Sequence, residues 1–148
     1  MTPPAPRWPI TVQRPVLWGD MDALGHVNNT VYFRWFEEAR IALLDAVGLR
    51  ADRAATGTGP ILATSACRFR VPLTHPDTVT VHVGVAHIGR TSFTLIYEVH
   101  SGAHGALAAE GDSVVVHFDY AAGATAPLPE ATRRALEGLR APGDAQGT

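Results

Sequence analysis

The stretch NNTVYFRWFEEARIALLDAV, from Asn28 to Val47, predicts one long helix. Its apolar residues recur at helical spacing and cover so much of the surface that the helix should be buried on most sides. Asn28 or Asn29 can cap the first turn, and Gly48 stands where helices commonly end. A helix of about 18 residues is roughly 27 Å long, and only a curved sheet could cover that length.

Outside this helix, apolar and polar residues alternate in the manner of half-buried strands. One such segment, residues 9–18, precedes the helix, and Val12, Val16 and Trp18 share one of its faces. Pro15 within the segment indicates a sheet edge or a bulge, because proline cannot donate to a strand ladder. Four more segments follow the helix and are joined mainly by short turns: 61–71, 78–87, 92–100 and 106–119.

The alternation also assigns side chains to the two faces of the sheet. In the strand that begins at Ile61, Phe69 shares the face of Ile61, whereas Arg68 and Arg70 lie on the face opposite the helix. We interpret that arginine-bearing face as solvated, although a subunit contact or a phosphate contact is an alternative. In the last strand, Gly111 is expected to mark a β-bulge.

The order of one strand, a long helix and four strands predicts an α+β fold, in which an antiparallel sheet packs one face against the helix. We expect a single domain over residues 9–140, with flexible tails at 1–8 and 141–148. Residues 50–60, rich in Gly, Ala and Thr, are expected to be a connection, and 129–139 to form a short amphipathic helix.

Composition narrows the class of protein further. The formal net charge of −2 gives no global basic field for nucleic acid. The N-terminus lacks the apolar stretch of a secretory signal, and the longest apolar runs are too short to span a membrane. The single Cys67 cannot form an intramolecular disulfide and suits a reducing compartment. We therefore expect a cytoplasmic protein without nucleic-acid or membrane partners.

The loop WGDMDALGHVNN, from Trp18 to Asn29, carries the candidate chemistry. It places two carboxylates, a histidine and two asparagines directly before the buried helix. A helix N-terminus offers unpaired N–H donors and about half a positive charge, which suits an oxyanion developing on a carbonyl. A carboxylate beside it can attack that carbonyl or activate water. Asp, Gly and Asn are also ordinary turn and cap residues, so turn chemistry alone is the competing interpretation.

This loop, with Tyr32 and the Glu37-Glu38-Ala39-Arg40 segment after it, resembles the 4-hydroxybenzoyl-CoA thioesterase-like branch of hotdog proteins. The His-Val-Asn-Asn piece is also similar to plant acyl-ACP thioesterases. The resemblance runs from about Thr11 to Tyr120. It implies a hotdog fold: a curved five-stranded antiparallel sheet wrapped around a long central helix. It also implies a homodimer or a homotetramer, in which two subunits share a continuous sheet and the active sites lie at the dimer interface.

The same resemblance implies roles for individual residues. The catalytic aspartate falls on Asp22, acting as general base or nucleophile in the hydrolysis of an acyl-CoA thioester. Backbone N–H groups near Asn29 and Thr30 would polarise the thioester carbonyl, and Asn28 lies beside them in the substrate-binding set. His26 is expected either to orient substrate or water, or only to shape the loop.

Three further observations bear on the assignment of site residues. Leu24 stands where the plant enzymes carry an asparagine, so the resemblance to them is incomplete. The resemblance to hotdog enzymes, in which basic residues at this hairpin meet the CoA phosphates, implies the same role for Arg90 at the tip of the 88–91 hairpin. A guanidinium suits phosphate because it donates in pairs. A solvated arginine is the alternative there. The seven histidines show no zinc-ligand spacing, and we predict neither a metal nor a cofactor.

Other functions on this fold stay open at this point. An acyl-ACP thioesterase differs only in the carrier of the acyl group. A dehydratase is disfavoured because the chain lacks the Phe-Pro-Gly-His-Pro signature of the acyl-ACP dehydratases. A non-catalytic acyl-CoA-binding module is the third alternative. The sequence does not decide the acyl group, CoA against carrier protein, nucleophile against general base, dimer against tetramer, or the pathway.

Overall fold

The computed structural model describes residues 7–143, without the side chains of 51–54. Within this range lie three α-helices: α1 (Asn29–Ala46), α2 (Leu49–Thr56) and α3 (Glu130–Glu137). Six strands accompany them: β1 (Ile10–Val16), β2 (Thr58–Phe69), β3 (Asp77–Ile88), β4 (Ser92–Ser101), β5 (Ala106–Asp119) and β6 (Ala124–Thr125). Of the tails expected at 1–8 and 141–148, residues 1–6 and 144–148 lie outside the described range.

The five long strands form one antiparallel sheet in the order β1-β3-β4-β5-β2, and the short β6 pairs with β5. Helix α1 packs against one face of this curved sheet and contacts β3, β1 and β2. The core lies between them, built on Trp35, Phe36 and Leu43 from the helix and on the inward residues of β3 and β4. The predicted α+β hotdog architecture is thus confirmed. β1 is an edge strand, as Pro15 indicated.

Local sequence signals explain the limits of α1. The Asn28 side chain accepts a hydrogen bond from the Thr30 N–H at 3.0 Å, so it caps the helix as predicted. At the other end, Gly48 adopts a φ of +77°, a left-handed conformation that favours glycine after a helix. These two residues fix the start and the end of α1, and the start determines which backbone N–H groups face the preceding loop.

Two sequence-based expectations fail in the outer parts of the fold. The connection at 50–60 is instead largely the helix α2. Its residues are mostly good helix formers, and the helix packs against β2 and α1. Trp18 does not share the inward face of Val16: it lies in a 3-10 turn and is 75% exposed, whereas Val16 is 2% exposed. β1 ends before Trp18, so strand alternation no longer applies there.

A bulge in β2 changes which residues face the helix. The register with β5 shifts between Leu62 and Thr64, and Leu62 pairs with the inward Val115. Ile61 therefore lies on the outer face, opposite to the face of Phe69, and the strict alternation expected from the sequence is wrong on this point.

Gly111 does not form the bulge expected of it, since its register with β2 and β4 is regular. A Cβ atom at Gly111 would lie 2.5 Å from a ring carbon of Phe36 and 2.4 Å from the Ala66 carbonyl oxygen. Glycine is needed here because the aromatic ring of α1 packs directly on the backbone of β5.

Candidate active site

The loop before α1 is closed as a narrow hairpin. Met21 and Val27 form an antiparallel bridge, and the Asn28 N–H donates to the Asp20 carbonyl at 2.9 Å. The Val27 N–H donates to the Leu73 carbonyl at 2.9 Å, which ties the hairpin to the segment after β2. These bonds hold the loop against the start of the helix.

Asp20 anchors this loop. Its side chain is buried and accepts two hydrogen bonds, from the Leu17 N–H at 2.9 Å and from Arg34 Nη2 at 3.0 Å. Both carboxylate oxygens are therefore used within the protein. The first aspartate of the Asp-x-Asp pair is a structural residue.

Asp22 lies two residues further on and is half-buried. Its Oδ1 accepts from the Leu24 N–H at 2.8 Å, and no hydrogen-bond partner is found for Oδ2 among the described residues. The Asp22 backbone pairs with His26 and Gly25, whose φ of +81° makes the turn. One bond thus orients the carboxylate, and its second oxygen stays available to a substrate or a water molecule.

At the start of α1, the free N–H donor belongs to Asn29. Asn28 Oδ1 already accepts from both the Thr30 N–H and the Thr30 hydroxyl, at 3.0 and 3.1 Å. In the described part of the chain, the Asn29 N–H has no acceptor. The positive end of the helix dipole therefore presents the Asn29 N–H, whereas the Thr30 donor is occupied by the cap.

A cleft of about 260 Å³ adjoins this helix start. It lies between α1 and the end of β2 and is lined by His26, Val27, Asn29, Tyr32, Phe69, Arg70, Val71 and Pro72. The structure thus brings His26 and Asn29 together on one cavity wall. Asp22 occupies the adjoining hairpin and pairs with the His26 backbone.

Tyr32 is a wall residue whose polar role the sequence analysis missed, because its place in the apolar stripe suggested core packing. Burial, and next the nearby Cys67, raises the pKa of Tyr32 to about 12, so its hydroxyl stays protonated at neutral pH. Within the described range, that hydroxyl has no protein partner, yet it is not sealed from solvent. It can therefore donate a hydrogen bond into the cleft. Its position one turn after the cap is the only sequence signal for this role.

Arg90 lies far from these residues within one chain. The candidate loop adjoins the Asp77 end of β3, since Val16 pairs with Asp77, whereas Arg90 follows the other end of that strand. Eleven steps along a strand span about 36 Å. Arg90 is exposed on its hairpin, at the opposite end of β3 from the Asp22 loop.

Two further features are absent from residues 7–143. No cluster of three or more His, Cys, Asp or Glu side chains could hold a metal ion there. None of the helices in this range is long and apolar enough to cross a bilayer.

Comparison with known proteins places these features in a family. The thioesterase-like superfamily matches residues 16–136. The structure resembles the PA2801 protein from Pseudomonas aeruginosa, with 34% identity, a TM-score of 0.76 and coverage of 87% of this chain and 98% of that one. It also resembles a thioesterase from Thermus thermophilus solved with coenzyme A and Zn, with 31% identity, a TM-score of 0.77 and coverage of 89% and 94%.

A further similar structure is BH1999, a gentisyl-coenzyme A thioesterase. It shares 25% identity with this chain, has a TM-score of 0.74, and the match covers 85% of this chain and 98% of that protein. The similarity spans most of the sheet and α1.

Proposed function

The chain belongs to the thioesterase-like superfamily and is a thioester hydrolase, and we propose that its substrate is an acyl-CoA, cleaved to the free acid and CoA. Two similar proteins support CoA as the carrier, one named as a gentisyl-coenzyme A thioesterase and one solved with coenzyme A. The observation that carries the proposal is that Asp22 keeps one carboxylate oxygen free in the hairpin that leads into α1, where the first N–H, that of Asn29, has no acceptor among the described residues. A cytoplasmic location, predicted from the single Cys67, is consistent with this substrate.

In the proposed reaction, the thioester carbonyl oxygen accepts a hydrogen bond from the Asn29 N–H at the start of α1. Asp22 then either attacks the carbonyl carbon or takes a proton from a water molecule that attacks it. The tetrahedral intermediate collapses, the C–S bond breaks, and the CoA sulfur leaves as a thiol after protonation. In the nucleophilic variant, water subsequently hydrolyses the acyl-aspartyl anhydride.

The neighbouring residues have supporting roles in this proposal. His26 and the Tyr32 hydroxyl line the cleft and orient the substrate or the water. Asn28 positions the donor by capping α1, and it occupies the Thr30 N–H and hydroxyl. Thr30 could contact substrate only if the cap opened. The carbonyl-binding donor in this proposal is therefore the Asn29 N–H.

A homodimer completes the site in this proposal. β2 is an edge strand of the sheet, and no described strand pairs with its outer side. It exposes Ile61, Leu62 and Phe69, which are 39%, 47% and 52% accessible, and an exposed apolar edge invites pairing with another chain. Antiparallel pairing of two β2 strands would continue the sheet across both subunits.

This pairing also gives Arg90 a place at the site. Arg90 lies at the end of the sheet where β2 begins, whereas Asp22 lies at the end where β2 finishes. Two antiparallel β2 strands place opposite ends side by side. Arg90 of the partner subunit is thereby brought to the same end of the dimer as Asp22, where it can bind the CoA phosphates.

The direct test is thiol release across a panel of acyl-CoA esters. The panel runs from acetyl to palmitoyl and includes benzoyl, 4-hydroxybenzoyl and phenylacetyl esters, each compared with the acyl-carrier-protein ester of the same acid. Turnover of CoA esters supports the proposal and identifies the acyl class. Turnover of carrier-protein esters alone would replace CoA by the carrier protein, and no turnover of any ester would indicate a binding module.

A further inference from the structure

A second, larger cleft of about 440 Å³ lies away from the Asp22 loop, between the middle of α1, α2 and the start of β2. Its apolar wall is formed by Ile41, Leu44, Leu62 and Val115. Together with the smaller cleft it follows the boundary between α1 and β2, because α1 and β2 run in opposite directions past each other. The two clefts therefore lie along the same boundary, the smaller at the start of α1 and the larger near its middle.

Arg40 is the buried charged residue of the larger cleft and is only 9% exposed. Its Nη1 donates to the Tyr97 hydroxyl at 3.2 Å, and that hydroxyl is 2.6 Å from Ser113 Oγ. Within the described residues, no carboxylate lies within 4 Å of the guanidinium. Burial raises the pKa of Tyr97, so its neutral phenol does not balance the charge.

The remaining guanidinium donors reach the cleft. Among the described residues, only His117 Nε2 is a side-chain nitrogen or oxygen that is both inaccessible to solvent and without a hydrogen-bond partner. The Arg40 nitrogens are not in that state. The unpaired nitrogens of Arg40 are therefore accessible from the cavity. A cation that is buried, unpaired and open to a cavity is costly in the empty protein, and an anion bound there would offset that cost.

We propose that this cleft holds the far end of the acyl group, and that the acyl group ends in a carboxylate bound by Arg40. The proposal rests on the thioesterase function above. The axial distance along α1 from Asn29 to Arg40 is about 16 Å, the length of an extended acyl chain of about thirteen carbons. The apolar wall suits the methylene chain, and the planar guanidinium suits a carboxylate.

The charges around the cleft favour this ligand. Arg40 and Arg50 line it against one carboxylate, that of the exposed Glu37. Arg50 is paired with Asp45 at 3.0 Å, so the unpaired positive charge is that of Arg40. An acyl group with a methyl end would bury apolar surface on the same wall but leave Arg40 without a counter-charge.

The kinetic test uses pairs of CoA thioesters of equal chain length, one ending in a carboxylate and one in a methyl group, from about four to about sixteen carbons, a span that brackets the distance given by the helical rise. The wild type should prefer the carboxylate end in kcat/KM at one range of lengths. Arg40→Met keeps much of the side-chain volume, and it should lower that preference about tenfold to hundredfold while sparing the methyl-ended esters. Glu37→Gln, at an exposed position, should raise the preference. Equal effects on both members of a pair would overturn the proposal.

A binding test separates this inference from the hydrolytic function. Calorimetry with free dicarboxylic acids and the matched monocarboxylic acids needs no turnover. Binding of the dicarboxylates that weakens about tenfold or more in Arg40→Met supports the subsite, even if no thioester is cleaved. Thioester hydrolysis with equal affinity for both acids would overturn the subsite and leave the hydrolase intact. If Arg40→Met does not fold, the wild-type calorimetry and Glu37→Gln decide.

Discussion

At the scale of single residues, Asp20 and Asp22 show how two identical side chains take different roles. Asp20 is buried and uses both oxygens to hold Leu17 and Arg34, whereas Asp22 keeps one oxygen free. The sequence shows both carboxylates but not the hydrogen bonds that give them different roles. Only the resemblance to known thioesterases pointed to Asp22, and the free oxygen is a physical reason that supports that choice.

The role proposed for Arg90 makes a prediction about affinity. Arg90→Ala should raise KM about tenfold for CoA thioesters, because it removes a charge-assisted contact to phosphate, and should leave kcat little changed. The matched substrate is the N-acetylcysteamine thioester of the same acid, which carries no phosphate and should be unaffected. Steady-state kinetics with both esters checks this, and equal losses on the two would remove the phosphate contact.

Gly111 tests the packing of α1 on β5. Gly111→Ala places a methyl group against the Phe36 ring and the Ala66 carbonyl, so it should lower the free energy of unfolding by about 1–3 kcal/mol. Gly19→Ala is the control, since a Cβ there meets nothing within 4 Å. Urea denaturation of both variants checks the difference. Equal stability of the two would mean that the ring does not press on the strand.

At the scale of elements, sequence reasoning succeeded where the determining contacts are local. The limits of α1 follow from Asn28 and Gly48, and each long strand was placed to within a few residues. α2 was missed because its stability comes from packing on β2 as much as from its residues. The bulge after Leu62 was missed because nothing in the local sequence marks where a register shifts.

An ion-pair cluster between β2 and β5 gives a prediction about pH. Burial raises the pKa of Glu110, but hydrogen bonds from Arg70 and Arg68 outweigh it, and the net pKa lies below the ordinary value of 4.5. A lowered pKa contributes stability above that ordinary value, and the contribution is lost as the pH falls through the lowered pKa. The sequence suggested that the face bearing Arg68 and Arg70 is only solvated. In the structure, both arginines form ion pairs with the buried Glu110 carboxylate.

Glu110→Gln removes the negative charge that Arg68 and Arg70 both face. It should lower the free energy of unfolding by about 1–3 kcal/mol at neutral pH. The difference from the wild type should shrink as the pH falls below about 4.5, where the wild-type carboxyl also becomes protonated. Chemical denaturation from about pH 3 to about pH 7, in steps of about one unit, checks this. A difference that does not depend on pH would contradict the ion-pair account.

At the scale of the whole molecule, the proposed dimer follows from the exposed edge of β2. Thr64 and Ala66 lie in the middle of that strand, and both are exposed. Replacing both by lysine puts like charges against each other at a symmetric interface, so the variant should be monomeric and should lose activity. Ala121 and Ala122, exposed in a turn, are the matched positions for a control double lysine variant. Sedimentation equilibrium decides, and a variant that stays dimeric would place the interface elsewhere.

The fold class and the position of the candidate loop were accessible from sequence, whereas the clefts were not. A cavity such as that around Arg40 depends on residues from α1, β2 and β5 that are far apart in the chain. Their meeting depends on the register of β2 and on its bulge. The hydrophobic pattern of each segment taken alone shows neither the register of β2 nor the position of its bulge.

The most direct test of the account is the rate of thiol release by Asp22→Asn on the best acyl-CoA ester of the wild type. The amide keeps the size of the side chain and its Oδ1 acceptor but can neither attack the carbonyl nor take a proton from water. We predict that kcat falls by a factor of about a thousand or more while the unfolding transition is unchanged. Glu130→Gln, which removes an exposed carboxylate on α3, is the control and should retain full activity. Near wild-type turnover by Asp22→Asn would contradict the assignment of Asp22 as the catalytic residue.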